Sequence, residues 1–173
     1  MKNIKAQSLI DFKVIPLVQF SVFLSLSLVA PLLGHQLITG PIINAILFIS
    51  VITLGLRTGI LLSFLPSLIA LSTGILSLAL APIIPFIILG NILLVVSFHY
   101  LKNKNYWFGI ISASFLKFAF LYISSSLLFN LLLKKELAGK IAVTMGWFQF
   151  LTAIIGGILA FFVLKFLSEK DKR

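Results

Sequence analysis

The sequence predicts an all-α integral membrane protein, built as a single domain of six transmembrane helices. Hydrophobic residues make up 60% of the chain and charged residues only 10%, whereas ordinary water-soluble domains average about 45–50% and about 25%. The mean hydropathy is +1.18, and the apolar residues fall into six separate runs. Because one span needs about 20 apolar residues, six spans use up the 173 residues and leave no room for a separate soluble domain.

The first apolar run covers residues 14–34, and the second covers residues 38–56 and is closed by Arg57. The first run is longer than the apolar core of a signal peptide, and Pro31 directly after Ala30 is a poor cleavage context. Both runs are therefore predicted to be retained transmembrane spans.

The third run, residues 58–80, contains two features that disturb a helix. Pro66 lies inside it, and Ser72-Thr73-Gly74 lies near its end. Proline and glycine kink or unwind a membrane helix where neighbouring groups satisfy the freed backbone. We therefore expect this span to be kinked or broken.

The last three runs have fewer interruptions. The fourth covers residues 82–101, with Pro85 in its first turn, where a missing N–H costs least. The fifth covers residues 108–133 and contains one lysine, and the sixth covers residues 141–167 and is followed by a charged tail.

The basic residues predict how the six spans are oriented. An even number of spans places both termini on one side, and a cytoplasmic N-terminus puts ten basic residues inside: Lys2, Lys5, Lys13, Arg57, Lys102, Lys104, Lys165, Lys170, Lys172 and Arg173. The outer side then holds only Lys134, Lys135 and Lys140. Cytoplasmic loops are enriched in lysine and arginine, so the count predicts that both termini and residues 102–105 are inside, and that residues 35–40, 80–82 and 134–140 are outside.

Two interpretations of the three outer lysines remain open. They are either scatter that the orientation rule tolerates or a basic mouth for an anionic solute. The formal net charge of +10 is explained by membrane orientation, and no nucleic acid partner is predicted.

Missing motifs argue against an enzyme. The chain has no Gly-rich phosphate loop, no His-Glu-x-x-His pair and no Gly-x-Ser-x-Gly elbow, and it contains no cysteine. All four carboxylates lie at span ends or in connections: Asp11, Glu136, Glu169 and Asp171. Ion-coupled carriers commonly hold an acidic residue within the membrane, so ion coupling is not indicated either. No catalytic residue, metal site or cofactor is predicted.

Four polar residues lie deep within the apolar runs: Asn44, Asn91, Lys117 and Gln149. Each stands roughly six to ten residues inside its span, which at about 1.5 Å per residue is roughly 9–15 Å below the surface. We therefore expect the four side chains to meet near the middle of the membrane. Thr152 shares a helical face with Gln149, and we expect both to look into the bundle.

Lys117 is the strongest candidate for a functional role, because an ammonium inside a membrane is energetically expensive. It either pairs with backbone carbonyls, loses its proton or binds an external anion. The third alternative predicts a solute carboxylate at Lys117, with Asn91 and Gln149 supplying hydrogen bonds and Trp147 or Tyr122 packing against the apolar part of the solute.

Structural alternatives exist for the other polar residues. Asn91 and Gln149 are equally typical of hydrogen bonds that join helices, without a ligand. Asn44 follows Thr39-Gly40-Pro41, and it is also suited to satisfying backbone groups freed by a turn at that position.

Four segments give the chain a family resemblance: TGPIINA at 39–45, APIIPFIILGN at 81–91, LKF at 116–118 and MGWFQFLTA at 145–153. With these segments, six predicted spans and no phosphate loop for hydrolysing ATP, the chain resembles the substrate-binding S components of energy-coupling factor transporters. The resemblance implies a subunit of the prokaryotic cytoplasmic membrane that captures a vitamin-like micronutrient on the outer side. Its implied partners are a transmembrane coupling protein and ATPase subunits.

The same resemblance implies a docking surface on the first span. Many members carry an Ala-x-x-x-Ala pattern there, and this chain has Ser21 and Ser25 at that spacing, with Val29 next in register. The N-terminal histidine of the metal-transporting members is absent, which implies an organic solute. Two other hypotheses remain: a stand-alone carrier or channel, and an assembly protein without a ligand, in which the polar residues only join helices.

Overall fold

The computed structural model describes the backbone of residues 2–74, 78–131 and 144–170, and the side chains of residues 15–74, 81–126 and 144–169. Every regular element in these residues is helical. The six α-helices found there are α1 (Lys2–Val29), α2 (Gln36–Thr53), α3 (Leu56–Ser72), α4 (Ile84–Leu101), α5 (Tyr106–Leu131) and α6 (Phe148–Lys170). Two short 3-10 segments precede α2 and α4, at Ala30–Leu33 and Leu78–Ile83.

Five of the helical segments are long and apolar enough to cross a membrane: Ile15–Leu33, Gln36–Thr53, Ala81–Leu101, Tyr106–Ser126 and Phe148–Glu169. Helix α3 is also apolar but has only 17 residues. The prediction of an all-α, multi-pass membrane protein is therefore confirmed at this level. The predicted outer connection 134–140 and the adjoining ends of the fifth and sixth runs, residues 132–143, lie outside the described residues.

The prediction of a broken third span is confirmed in the described residues. Helix α3 ends at Ser72, and Gly74 adopts φ +74°, a conformation that favours glycine and stops a helix. Pro66 lies inside α3 and is buried. The chain resumes as a 3-10 segment at Leu78, while residues 75–77 lie outside the described residues.

Two helix boundaries differ from the sequence prediction for identifiable reasons. Gly55 adopts φ +89° between α2 and α3, so Leu56 begins the third helix and does not end the second. Asn105 caps α5: its Oδ1 accepts from the backbone N–H groups of Trp107 at 2.9 Å and Phe108 at 3.2 Å. Helix α5 therefore begins at Tyr106, two residues before the predicted span.

Helix α1 begins at Lys2, ahead of the first apolar run, because a helix can continue through polar residues; its segment that is long and apolar enough to span a membrane, Ile15–Leu33, agrees with the predicted run 14–34. Helix α6 begins at Phe148, because a bend at Gly146 interrupts the sixth run, whose first residues, 141–143, lie outside the described residues.

Helix α2 lies at the centre of the bundle and α1 at its edge. Buried residues make up 56% of the α2 span but only 17% of the α1 span. Helix α2 packs most extensively against α6, and α4 packs against both α3 and α5. The rings of Phe48 on α2 and Phe98 on α4 meet edge to face, with centroids 4.7 Å apart, and both side chains are fully buried. These rings fill the half of the bundle in which α2 ends.

The seam between α2 and α6 depends on glycine. A Cβ atom on Gly156 would lie 2.7 Å from Asn44 Cβ, 2.8 Å from the Pro41 carbonyl oxygen and 2.9 Å from the Ala45 nitrogen. One turn away, a Cβ atom on Gly40 would lie 2.9 Å from Thr152 Cβ. Small residues let membrane helices approach this closely, and here the approach fixes the position of Asn44.

Replacing Gly156 with alanine is expected to lower the free energy of unfolding by about 1.5 kcal/mol, because the new methyl group meets backbone atoms that cannot rotate away. Denaturant titration of the purified protein in detergent measures the change. Val163→Ile is the control, since it adds one carbon to the exposed face of the same helix. Equal stability of the alanine variant and the control would show that the seam is not tightly packed.

Candidate functional site

A cavity of about 250 Å³ opens at the end of the bundle where α1 finishes and α2 begins. Five helices and the connection between α1 and α2 supply its walls. The polar lining residues are Gln36, Thr39, Asn44, Ser67, Asn91, Lys117, Thr144 and Gln149, and the other lining residues are Pro31, Gly34, Gly40, Ile43, Pro66, Ala70 and Ile87. The cavity is thus a recess in which polar side chains converge beside apolar walls, and convergent polar groups in a pocket are typical of small-molecule sites.

Lys117 lies in the wall of this cavity and is only 3% exposed. Its Nζ donates a hydrogen bond of 2.7 Å to Asn44 Oδ1. Among the side chains that the structure describes, the one carboxylate is that of Glu169, which lies beside Ile52 and Tyr106 at the opposite end of the bundle. Within the described residues, the ammonium of Lys117 is therefore paired with a neutral amide oxygen and not with a counter-charge.

Asn44 is held in place by the seam between α2 and α6. It is 1% exposed, and its Cβ faces Gly156. The alternative that Asn44 serves a turn at Thr39-Gly40-Pro41 is wrong, because these three residues lie inside α2. The described bond of Asn44 Oδ1 is instead to Lys117.

Asn91 lines the cavity, and one of its polar atoms is buried without a partner among the described residues. Its side chain is 3% exposed, and its Nδ2 donates a long hydrogen bond of 3.5 Å to the Ser63 carbonyl oxygen. Its Oδ1 has no hydrogen-bond partner among the described residues. A buried acceptor without a partner costs free energy, and such atoms are rare in folded proteins.

Two glutamines meet at one carbonyl group near the mouth of the cavity. Gln149 Nε2 donates to the Thr144 carbonyl oxygen at 2.6 Å, and Gln36 Nε2 donates to the same oxygen at 3.2 Å. The described bond of Gln149 is therefore to the protein backbone. Gln36 was not among the predicted site residues, although a polar residue at the start of the second apolar run is a visible signal for a site at that end of the bundle.

The structure brings four predicted site residues together in the cavity: Asn44, Asn91, Lys117 and Gln149. It places the other three elsewhere. Trp147 is 58% exposed and Tyr122 is 60% exposed, and neither lines the cavity. Thr152 is buried in the seam against Gly40. The apolar lining of the cavity is formed instead by residues that include Pro31, Ile43, Pro66 and Ile87.

The predicted docking residues lie on the surface of the bundle. Ser21 and Ser25 are exposed on α1, and each hydroxyl donates a 2.9 Å hydrogen bond to the carbonyl oxygen four residues earlier in the helix. Val29 is exposed as well. Because the hydroxyl groups are satisfied within their own helix, this strip presents small side chains to its surroundings.

No protein-family model, curated protein or solved structure matches this chain. Among the described residues, no three histidine, cysteine, aspartate or glutamate side chains are grouped so that they could hold a metal ion. The chemistry of the cavity walls is therefore the main guide to what the protein binds.

Proposed function

We propose that this protein is the solute-capturing subunit of an ATP-driven uptake transporter, as its resemblance to energy-coupling factor S components implies. It holds a small, vitamin-like organic solute in the cavity, and a separate transmembrane coupling protein and ATPase subunits supply the energy. The observation that carries the proposal is the convergence of Lys117, Asn44, Asn91 and Gln149 on one cavity. The cavity gives a binding site, and the sequence contains no phosphate loop for hydrolysing ATP.

The blind end of the cavity favours capture over free passage. Beyond Asn44, all residues of α2 from 45 to 51 are buried, and Phe48 and Phe98 pack against each other in that half of the bundle. Ile110 on α5 and Ala153 on α6 belong to the same apolar core. A channel needs a continuous polar path, whereas a recess with a buried apolar core beyond it is suited to retaining a solute.

The proposed topology has six spans, with both termini in the cytoplasm. Helix α3 counts as the third span in this arrangement, because 17 residues at about 1.5 Å each reach about 25 Å, at the short end of the range for a span. The cavity then opens on the outer side, since it lies beside the connection between α1 and α2.

Cysteine labelling in intact cells tests this orientation. An impermeant maleimide is expected to label His35→Cys, at the outer end, and to leave Asn103→Cys unlabelled until the membrane is opened, because basic residues favour the cytoplasmic side. Both positions are exposed, and the natural chain has no cysteine that would react. Labelling of Asn103→Cys alone in intact cells would reverse the proposed orientation.

Ser21 and Ser25 are expected to contact the coupling protein. The variants Ser21→Leu and Ser25→Leu should lose co-purification with it, because bulky side chains prevent close helix approach, while solute binding should persist. Val22→Leu, on an adjacent exposed side of α1, is the control. Normal assembly of both serine variants would place the docking surface elsewhere.

Purification from native membranes tests the function as a whole. Co-elution with a coupling protein and ATPases that carry a phosphate loop is expected, and uptake into vesicles should require these partners and ATP. Uptake by the lone protein would identify a carrier or channel instead. If no partner co-elutes and no uptake is measured, the assembly protein without a ligand is the remaining hypothesis.

A further inference from the structure

We infer that the captured solute is a small organic acid that also carries an N–H or O–H donor. Its acid group bonds to Lys117, and its donor bonds to Asn91 Oδ1. This inference rests on the proposed capture function and specifies the class of solute. It follows from three observations on residues that line the cavity. The ammonium of Lys117 has one described hydrogen bond, Asn91 Oδ1 has none, and part of the lining is apolar.

The ammonium of Lys117 selects an anion. Lysine has three N–H donors, and the structure accounts for one of them, in the bond to Asn44 Oδ1. The described residues place no carboxylate within ion-pairing distance of it, and Lys117 lines the cavity. A solute anion would therefore supply both the counter-charge and the missing acceptors, in surroundings where water weakens the attraction little.

The amide of Asn91 selects a donor. Its Nδ2 is engaged with the Ser63 carbonyl oxygen, which orients the amide and leaves Oδ1 as the free atom in the described residues. An amide oxygen accepts hydrogen bonds and cannot donate them. A solute with an N–H or O–H group at this position satisfies the acceptor, whereas a solute with an ether oxygen there leaves it unsatisfied and meets it with a second acceptor.

The remaining walls limit the solute's size and polarity. Ile43, Ile87, Pro31 and Pro66 supply apolar contacts, so the solute has an apolar part between the two polar groups. The volume of about 250 Å³ lies just below the range of about 300–1,000 Å³ that is usual for drug-sized ligands. A body of about two fused rings meets these limits.

Asn44 is a positioning residue in this arrangement. Its Cβ lies close to Gly156 on the neighbouring helix α6, and its Oδ1 accepts the hydrogen bond from Nζ of Lys117. The solute acid therefore meets a side chain that is already ordered, which reduces the entropy lost on binding.

Three probes of similar shape test the inference on the purified full-length protein: indole-2-carboxylate, benzofuran-2-carboxylate and indole-2-carboxamide. The first has an acid and an N–H donor, the second lacks the donor, and the third lacks the charge. Titration calorimetry should show binding of indole-2-carboxylate, about tenfold weaker binding of the benzofuran acid, and at least about 30-fold weaker binding of the amide.

Matched variants assign each preference to its residue. Asn91→Leu should make the two acids bind equally, and Lys117→Met should make the indole acid and its amide bind equally. Asn103→Leu and Lys104→Met are the controls, because they make the same changes at exposed positions at the other end of the bundle. Both controls should retain the full discrimination of the parent protein.

The inference is overturned if none of the probes binds, if all three bind the parent equally, or if Asn91→Leu and Lys117→Met discriminate as the parent does. Its failure can be told apart from failure of the capture function. Retention of a neutral solute by the protein when it is purified with ATPase partners would support the capture function and contradict the inference that the solute is an acid. Uptake by the lone protein would contradict capture itself.

Discussion

Replacing Asn44 with leucine is expected to lower the free energy of unfolding by about 3 kcal/mol, the scale of leaving a buried charged group without its hydrogen-bond partner. The 2.7 Å bond to Asn44 Oδ1 is the one described hydrogen bond of the Lys117 ammonium. Leucine branches at the same atom as asparagine and has the same number of side-chain heavy atoms, and it leaves the contact between the Cβ of residue 44 and Gly156 in place. The loss therefore measures the cost of leaving the buried charge without its acceptor.

The double variant makes this prediction specific. Lys117→Met alone should destabilise the protein less than Asn44→Leu, because it leaves behind a neutral amide and not a charge. Combining Lys117→Met with Asn44→Leu should recover most of the stability, since both polar partners are then replaced by apolar groups of similar shape. Denaturant titration of the four proteins in detergent gives the coupling energy. Additive losses would show that the two side chains do not interact as the structure has them.

Lys117→Met is expected to weaken binding of the captured solute by at least about 2 kcal/mol, or roughly 30-fold. Methionine keeps the length and the apolar character of the side chain but removes the positive charge that the solute anion requires. Equilibrium binding of the co-purified solute to the parent and the variant measures the effect. Lys104→Met, at an exposed position outside the cavity, should leave the affinity unchanged.

A purely structural Lys117 predicts a different result for solute affinity. If its role is only to hold neighbouring helices together, Lys117→Met should lower the free energy of unfolding and leave solute affinity unchanged. The affinity measurement therefore distinguishes a binding residue from one that only joins helices.

The all-helical, multi-pass character and the gathering of polar residues could be predicted because the depth of a residue in the membrane can be counted along its span. Gln149, predicted at a similar depth to the others, is instead the second residue of α6 and lies nearer the end of the bundle. Asn44 and Asn91 lie about two turns after the starts of α2 and α4, and Lys117 lies near the middle of α5. Antiparallel spans bring such residues to a similar level, and a polar group at that level is drawn into the bundle. All four line the cavity.

Rotation around the helix axis was harder to predict than depth. Tyr122 follows Lys117 by five residues, which is about 140° around a helix of 3.6 residues per turn, so it faces away from the cavity. Trp147 precedes the start of α6 and its side chain is exposed, so it does not continue the face on which Gln149 lies. The first error could have been avoided from spacing alone, and the second depends on where the helix begins.

The contact between Lys117 and Asn44 was beyond prediction because it depends on how α2 packs. Gly156 brings α6 against α2 and orients Asn44, but a single glycine in an apolar run does not reveal which residue it faces. The same holds for Gly55, whose positive φ moved a predicted boundary. Such positions are decided by tertiary packing and not by local composition.

Native mass spectrometry of the detergent-purified protein tests the central claim of solute capture most directly. The parent protein is expected to carry a bound small molecule, released on activation in the gas phase, and Lys117→Met is expected to lack it while Lys104→Met retains it. A parent protein that never carries a small molecule when purified from cells, or a Lys117→Met variant that retains the same molecule in the same proportion, would contradict the account of this cavity as a capture site.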